Sequence, residues 1–247
     1  MFVDIHNHIL PGVDDGPKDL ETALNMAQKA VEGGTDIMVA TPHRAYFLRR
    51  DAPRAWVIDH VQSLQDALDK AGILLKVVPG VEIQFGPAVV ADLTSQHLCT
   101  LGDAGTWALI EPPFEGLPDS AFSTIEQLSE AGINVVLAHP ERNSEVQRDL
   151  AFVRGCVLRG CVLQITTGSL LGDFGPKALR AAEGILSNHL EWPIVIASDS
   201  HDPEHRRTNL MAAARDMAAR IVGQEAAQAM VDSRPRSLVE STESNQK

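Results

Sequence analysis

Residues 1–34 read MFVDIHNHILPGVDDGPKDLETALNMAQKAVEGG, a short apolar run, a polar turn and an amphipathic stretch in succession. FVDI has strand character, and beyond the turn Leu20, Leu24, Ala27 and Val31 recur at near-helical spacing until Gly33-Gly34 supplies a stop. The unit is βα. At the strand's end stand His6 and His8, two residues apart, and alternate residues of a strand face the same way. The acid pair Asp14-Asp15 follows in the turn. Such a histidine pair also arises by chance, so its meaning depends on whether other strands end alike.

Six further runs have strand character: DIMVA, LLKVV, TWALI, INVVLA, CVLQI and PIVIA. Helical patterns lie between them. Val57, Val61, Leu64 and Leu68 mark a helix from Ala55 to Ala71, ended by Gly72, and others are expected in SAFSTIEQLSEAG, RDLAFVRG, PKALRAAEGILSNH and the alanine-rich stretch Asn209 to Val231. Strand then helix, repeated, predicts an α/β fold with a mostly parallel sheet and helices outside. No Gly/Ser-rich or Pro-rich linker divides the chain, so one domain is expected over residues 1–234, with a polar, disordered tail at 235–247.

Composition narrows the function classes. The 247 residues suffice for one large domain with a substantial core, and 44% hydrophobic with 22% charged residues is globular usage. No apolar run is long enough to span a membrane, and no basic segment followed by an apolar run opens the chain, so a cytoplasmic location is expected. A net charge of −12 disfavours nucleic acid as a partner. The three cysteines, Cys99, Cys156 and Cys161, lack zinc-site pairing and are read as reduced thiols.

In parallel βα architectures every strand delivers its last residues to one face, where chemistry gathers. Six of the seven strand ends carry His, Asp or Glu: His6 and His8 with Asp14 and Asp15 after the first, His43 after the second, Glu82 after the third, Glu111 after the fourth, His139 with Arg142 after the fifth, and Asp199 with His201 after the seventh. The sixth, followed by TTGS, offers no strong ligand. A lone buried histidine is more often structural than ligating, but six independent recurrences point to a cluster. Imidazoles and carboxylates without cysteine suit zinc, manganese or iron, and nine candidate ligands exceed what one tetrahedral ion needs, so two or three metals sharing carboxylates are expected.

In order, DIHNHILPGVDDGP, ATPH, GVEI, ALIEP, LAHPER and ASDSH resemble the motifs of the PHP (polymerase and histidinol phosphatase) family, specifically its bacterial protein-tyrosine phosphatases that act with capsule and exopolysaccharide tyrosine kinases. The resemblance covers roughly residues 2 to 210. It implies a distorted (β/α)7 TIM-like barrel holding three divalent ions, with manganese expected and iron or zinc as alternatives. Position by position, it implies that His6, His8, Glu82 and Asp199 hold the first ion, and that Glu82 reaches the second beside Glu111 and His139. Asp15, His43 and His201 hold the third, Asp15 being preferred to Asp14 because it directly precedes Gly16. Arg142 and an arginine after SDSH, Arg206 or Arg207 with spacing favouring Arg206, match the phosphate-holding positions. Each has a plainer reading, HPER as a helix start with a surface ion pair and Arg206 as a complement to a helix dipole.

The implied reaction is phosphomonoester hydrolysis by attack of a metal-bridging hydroxide, with a bacterial tyrosine autokinase as the partner that carries the phosphotyrosine. Asp15 or His201 is the expected donor of the leaving-group proton. The cysteine-dependent route needs an arginine six residues after the nucleophile, whereas positions 105, 162 and 167 are Gly, Val and Thr. Histidinol-phosphate hydrolysis, a polymerase-associated exonuclease and a metal-binding module without turnover are the competing readings. The segment HRAYFLRRDAPR, basic and carrying Tyr46 and Phe47, is either a solvated loop or a rim that receives an acidic phosphotyrosine segment.

Overall fold

The computed structural model describes residues 1–240, so STESNQK at the C-terminus lies outside the described residues. Eight strands follow in chain order: β1 (Phe2–Asn7), β2 (Thr35–Ala40), β3 (Lys76–Pro79), β4 (Glu82–Gln84), β5 (Trp107–Glu111), β6 (Asn134–Ala138), β7 (Val162–Thr166) and β8 (Ile194–Ala197). All neighbours pair in parallel, in a three-stranded sheet β1-β2-β3 and a five-stranded sheet β4-β5-β6-β7-β8. Isolated bridges Asn7 to Ser200 and His43 to Glu82 join the two sheets, giving a barrel-like wall with irregular seams.

Eight strands replace the expected seven because the residues after LLKVV, expected to follow the strand, form a further short strand at Glu82–Gln84. The chain leaves one sheet at Pro79 and enters the other at Glu82, and Gly80 lies between, where a Cβ would come 2.7 Å from Val39 Cγ1. Only a residue without a side chain permits that approach. The expected helices form at Leu20–Glu32, Pro53–Ala71, Ala121–Glu130, Ala151–Val157 and Gly175–Leu186. The alanine-rich stretch is two helices, Met211–Val222 and Gln224–Val231, divided at Gly223 where φ is 85°. Residues 235–239, expected in the tail, complete a helix Ser233–Val239 whose Leu238 is buried. The polar composition that suggested disorder begins only beyond it.

The strands are apolar on both faces, as parallel sheets covered by helices require. Met38, Ile110, Leu137, Leu163 and Ile196 pack with the helices in the larger core. Val3, Ile5, Val39, Leu109, Val136, Val162 and Val195 form a second, inner core, which Leu101 and Leu238 join. Strand alternation then explains where polar groups emerge. Glu111 follows Leu109 on the same face of β5, and Gln164 follows Val162 on the same face of β7, so the inner face turns from apolar to polar toward the strands' C-terminal ends.

Candidate metal centre

All nine side chains expected as ligands lie together at these strand ends. Four overlapping groups each have ligand atoms within 4.8 Å of one another: His8, Asp15, His43 and His201; His6, His139 and Asp199; His6, His8 and Glu82; and His43, Glu82 and Glu111. His6, His8, His43 and Glu82 each belong to two groups, so they stand on boundaries between neighbouring groups. Glu82 occupies the middle. Its Oε1 lies 3.2 Å from His6 Nε2 and 3.1 Å from His139 Nε2, while Oε2 lies 2.9 Å from His43 Nδ1 and 3.4 Å from His8 Nε2.

The backbone accepts strain to place two of these groups. His139 and Asp199 have φ of 28° and 50°, in the left-handed region that costs a non-glycine residue about 1–3 kcal/mol. Both follow directly on β6 and β8 or one residue later. Asp199 N–H donates to His6 O at 2.8 Å and His8 N–H to Ser200 O at 2.9 Å, which locks the first and last ligand loops to each other.

Does this donor set fit cations? Four carboxylates and five imidazoles converge, and all but Asp15 and His43 are buried. Glu82 Oε2, Glu111 Oε2, His139 Nδ1 and His201 Nε2 are buried without hydrogen-bond partners, which costs free energy unless something else satisfies them. Burial opposes charge on Glu82 and Asp199, yet His6 and its neighbours outweigh it and hold both carboxyls well below the usual range. Burial likewise lowers His6 and His8, yet Glu82 and Asp199 raise His6 overall, and Asp14, Asp199 and Glu82 raise His8 well above an ordinary imidazole. Positive charge is what the cluster demands, and divalent ions supply it.

The two acids of the DDG turn divide their work. Asp14 is buried and accepts from His8 Nδ1 at 2.7 Å, from His43 N–H at 3.0 Å and from Gly16 N–H at 3.1 Å. Asp15, half exposed, has Oδ1 at 3.4 Å from both His43 Nε2 and His201 Nε2. Asp14 therefore aims a histidine, and Asp15 faces the open cluster.

Three supporting residues escaped the sequence reading. Gln164, fully buried on the strand that offered no ligand, accepts from His6 Nδ1 at 2.9 Å and from His139 N–H at 3.2 Å. That bond places the proton of a neutral His6 on Nδ1 and leaves Nε2 free to coordinate. Asp4 accepts from Ser198 N–H at 2.9 Å and Ser198 Oγ at 2.5 Å, tying β1 to the segment that carries Asp199. Glu141 accepts from Thr166 N–H at 2.9 Å. A polar residue inside an apolar strand, as in FVDI and CVLQI, was the available signal for the first two.

Arg142 and Arg206 both donate to Asp199 Oδ2, Arg142 Nη1 at 2.6 Å. Arg142 is held between two rings, 4.7 Å from the centroid of Phe114 and 4.3 Å from that of Phe174. HPER is thus no surface helix start, since Glu141 is buried and Arg142 points into the site. The cysteines take no part. All three are buried, and burial together with Asp103 pushes Cys99 up to about 12, far from a reactive thiolate.

Comparison with known proteins agrees with this geometry. Residues 2–240 match the family model for capsular polysaccharide synthesis, CpsB/CapC. The chain is 36% identical over 209 residues to the tyrosine-protein phosphatase YwqE of Bacillus subtilis, covering 83% of this chain and 79% of that one. It is 30% identical over 206 residues to the putative tyrosine-protein phosphatase CapC of Staphylococcus aureus, with the same coverage. Its fold superposes with a TM-score of 0.88 and 33% identity, over 96% of this chain and 94% of the other, on a crystal structure from work on B. subtilis YwqE and Streptococcus pneumoniae CpsB, described as metal-dependent tyrosine phosphatases. An organophosphorus hydrolase from Deinococcus radiodurans, at TM-score 0.57 and 13% identity, shares the fold alone. A match over nearly the whole chain, on the strands that carry the cluster, makes this protein a member of the CpsB/CapC family.

Proposed function

We propose that the protein is a metal-dependent protein-tyrosine phosphatase that hydrolyses phosphotyrosine on a bacterial tyrosine autokinase of polysaccharide production. The observation that carries the reading is the set of four overlapping ligand groups, two of which share Glu82, with buried polar atoms left open toward them. His6, His8, Glu82 and Asp199 hold one ion; Glu82, Glu111 and His139 a second; Asp15, His43 and His201 a third. The carboxylates among the ligands lean toward manganese, with iron or zinc also compatible with a mixed imidazole and carboxylate set. Bound ions of this kind acidify water and neutralise a phosphoryl group.

The chain's own residues complete the site. Arg142, clamped between Phe114 and Phe174, presents a guanidinium of fixed direction to phosphoryl oxygens, and Arg206 approaches from the loop after His201. Asp14 and Gln164 hold His8 and His6 in the tautomers that leave Nε2 available. A tyrosyl leaving group, with a pKa of about 10, needs less proton transfer than a serine alkoxide, so its departure does not require Asp15 and His201, committed to the third ion, to act as free acids. Among the described residues no helix is long and apolar enough to cross a membrane.

The test compares manganese-loaded protein on a phosphotyrosyl peptide, a phosphoseryl peptide and histidinol phosphate. Highest kcat/KM on phosphotyrosine is expected. Turnover confined to histidinol phosphate would keep the chemistry and overturn the substrate, and binding of metal without any turnover would leave a metal-binding module.

A further inference from the structure

A groove of about 450 Å3 opens beside the cluster, between Asp15, His43 and Glu82 on one side and the segment carrying Tyr46, Leu48 and Arg49 on the other. It is distinct from the flank where Arg206 bonds to Asp199, which lines a separate cavity with Phe174 and Thr167. A substrate whose phosphoryl group sits toward Arg142 and Arg206 therefore has this groove for what the phosphate is attached to.

Two features of the groove wall have no structural use. Tyr46, the chain's only tyrosine, is 57% exposed and lies parallel to the His43 ring, with centroids 6.2 Å apart and planes at 21°. Its neighbour Phe47 does the packing, fully buried and stacked on Trp56 at 5.4 Å. Of the four arginines in this segment, Arg44 bonds to Asp92, Arg54 is paired with Asp103 at 2.6 Å, and Arg50 lies 4.9 Å over the Trp56 ring. Arg49 alone has none of these partners among the described residues, is exposed, and lines the groove. An unpaired cation beside the site runs against a net charge of −12 and favours an anionic visitor.

We infer that this groove is the leaving-group subsite, in which Tyr46 covers the tyrosyl ring and Arg49 pairs with a carboxylate side chain flanking the phosphotyrosine, so that acidic phosphotyrosine segments are selected. The inference rests on the phosphotyrosine reading above and adds to it the sequence class of the substrate. An offset or parallel ring pair contributes beyond its area, and a rim charge acts mainly on partner choice.

The experiment measures binding by fluorescence anisotropy to the metal-loaded protein, using two peptides with a non-hydrolysable phosphotyrosine analogue, one flanked by Glu and Asp and one by Lys. Wild-type protein is expected to prefer the acidic peptide by about tenfold, and Arg49→Glu to remove or reverse that preference. Tyr46→Ala weakens both peptides alike, and Tyr46→Phe restores them. The ratio between peptides is insensitive to any loss of folded protein. Equal binding of the two peptides by the wild type, or an unchanged ratio in Arg49→Glu, would overturn the inference. Parallel assays of p-nitrophenyl phosphate turnover report separately on the phosphatase reading.

Discussion

Replacing Gln164 with leucine removes one carbonyl oxygen that serves two ligand-bearing residues. His6 Nδ1, 2.9 Å from Gln164 Oε1, and the His139 backbone nitrogen, 3.2 Å from it, both lose their acceptor, in a place closed to water because Gln164 is fully buried. Each stranded donor costs about 1–3 kcal/mol, so a loss of about 2–6 kcal/mol in total is expected. For a chain of this size a kilocalorie corresponds to about 2–4 °C, which places the fall in melting temperature at about 4–24 °C. His6 also loses its fixed tautomer, and removing such an outer partner lowers metal affinity by about 10–100-fold. Thermal unfolding and chelator competition read the two effects separately. Gln164→Glu keeps an accepting oxygen and should hold metal more tightly than the leucine variant. A leucine variant with parental melting temperature and parental metal affinity would show that neither His6 nor His139 depends on Gln164.

Arg142→Ala should lower kcat on aryl phosphates on the order of 100-fold, and Arg142→Lys should recover little, because the Phe114 and Phe174 rings hold a planar group that a lysine lacks; steady-state kinetics checks this. Gly16→Ala places a Cβ against the His8 carbonyl and so displaces the turn that carries Asp14 and Asp15; loss of at least one bound ion by elemental analysis is expected, and full occupancy would contradict it. All three thiols are buried, burial holds Cys99 up to about 12, and the hydrogen bond with Cys161 together with burial raises Cys156, so iodoacetamide should leave the native protein unmodified and active, and Cys156→Ser should remain active.

The nine ligand candidates were legible because strand periodicity and the order of elements place strand ends on one face before any contact is known. The alternation of Val57 to Leu68 and of Leu20 to Val31 likewise fixes local structure from local spacing. What escaped depends on partners far along the chain. Gln164 matters through His6, 158 residues away, and Asp4 through Ser198, 194 residues away. The break between β3 and β4 follows from the approach of Gly80 to Val39, and the helix at Ser233–Val239 follows from the burial of Leu238 against the inner core, neither visible in the neighbouring residues. The preference for Asp15 over Asp14 was legible from its place before Gly16, whereas the role of Asp14 in orienting His8 needed the turn's geometry.

Phosphotyrosine hydrolysis, on the function proposed above, depends on the cation site that Glu82 and its neighbours form. The most direct measurement strips the protein of metal, returns manganese in steps, and follows bound metal by elemental analysis alongside phosphotyrosyl-peptide hydrolysis, with Glu82→Gln in parallel. Two or three ions per chain, activity rising with their occupancy, and loss of both in Glu82→Gln are predicted. Undiminished hydrolysis by metal-free protein, or by the Glu82 variant, would contradict it.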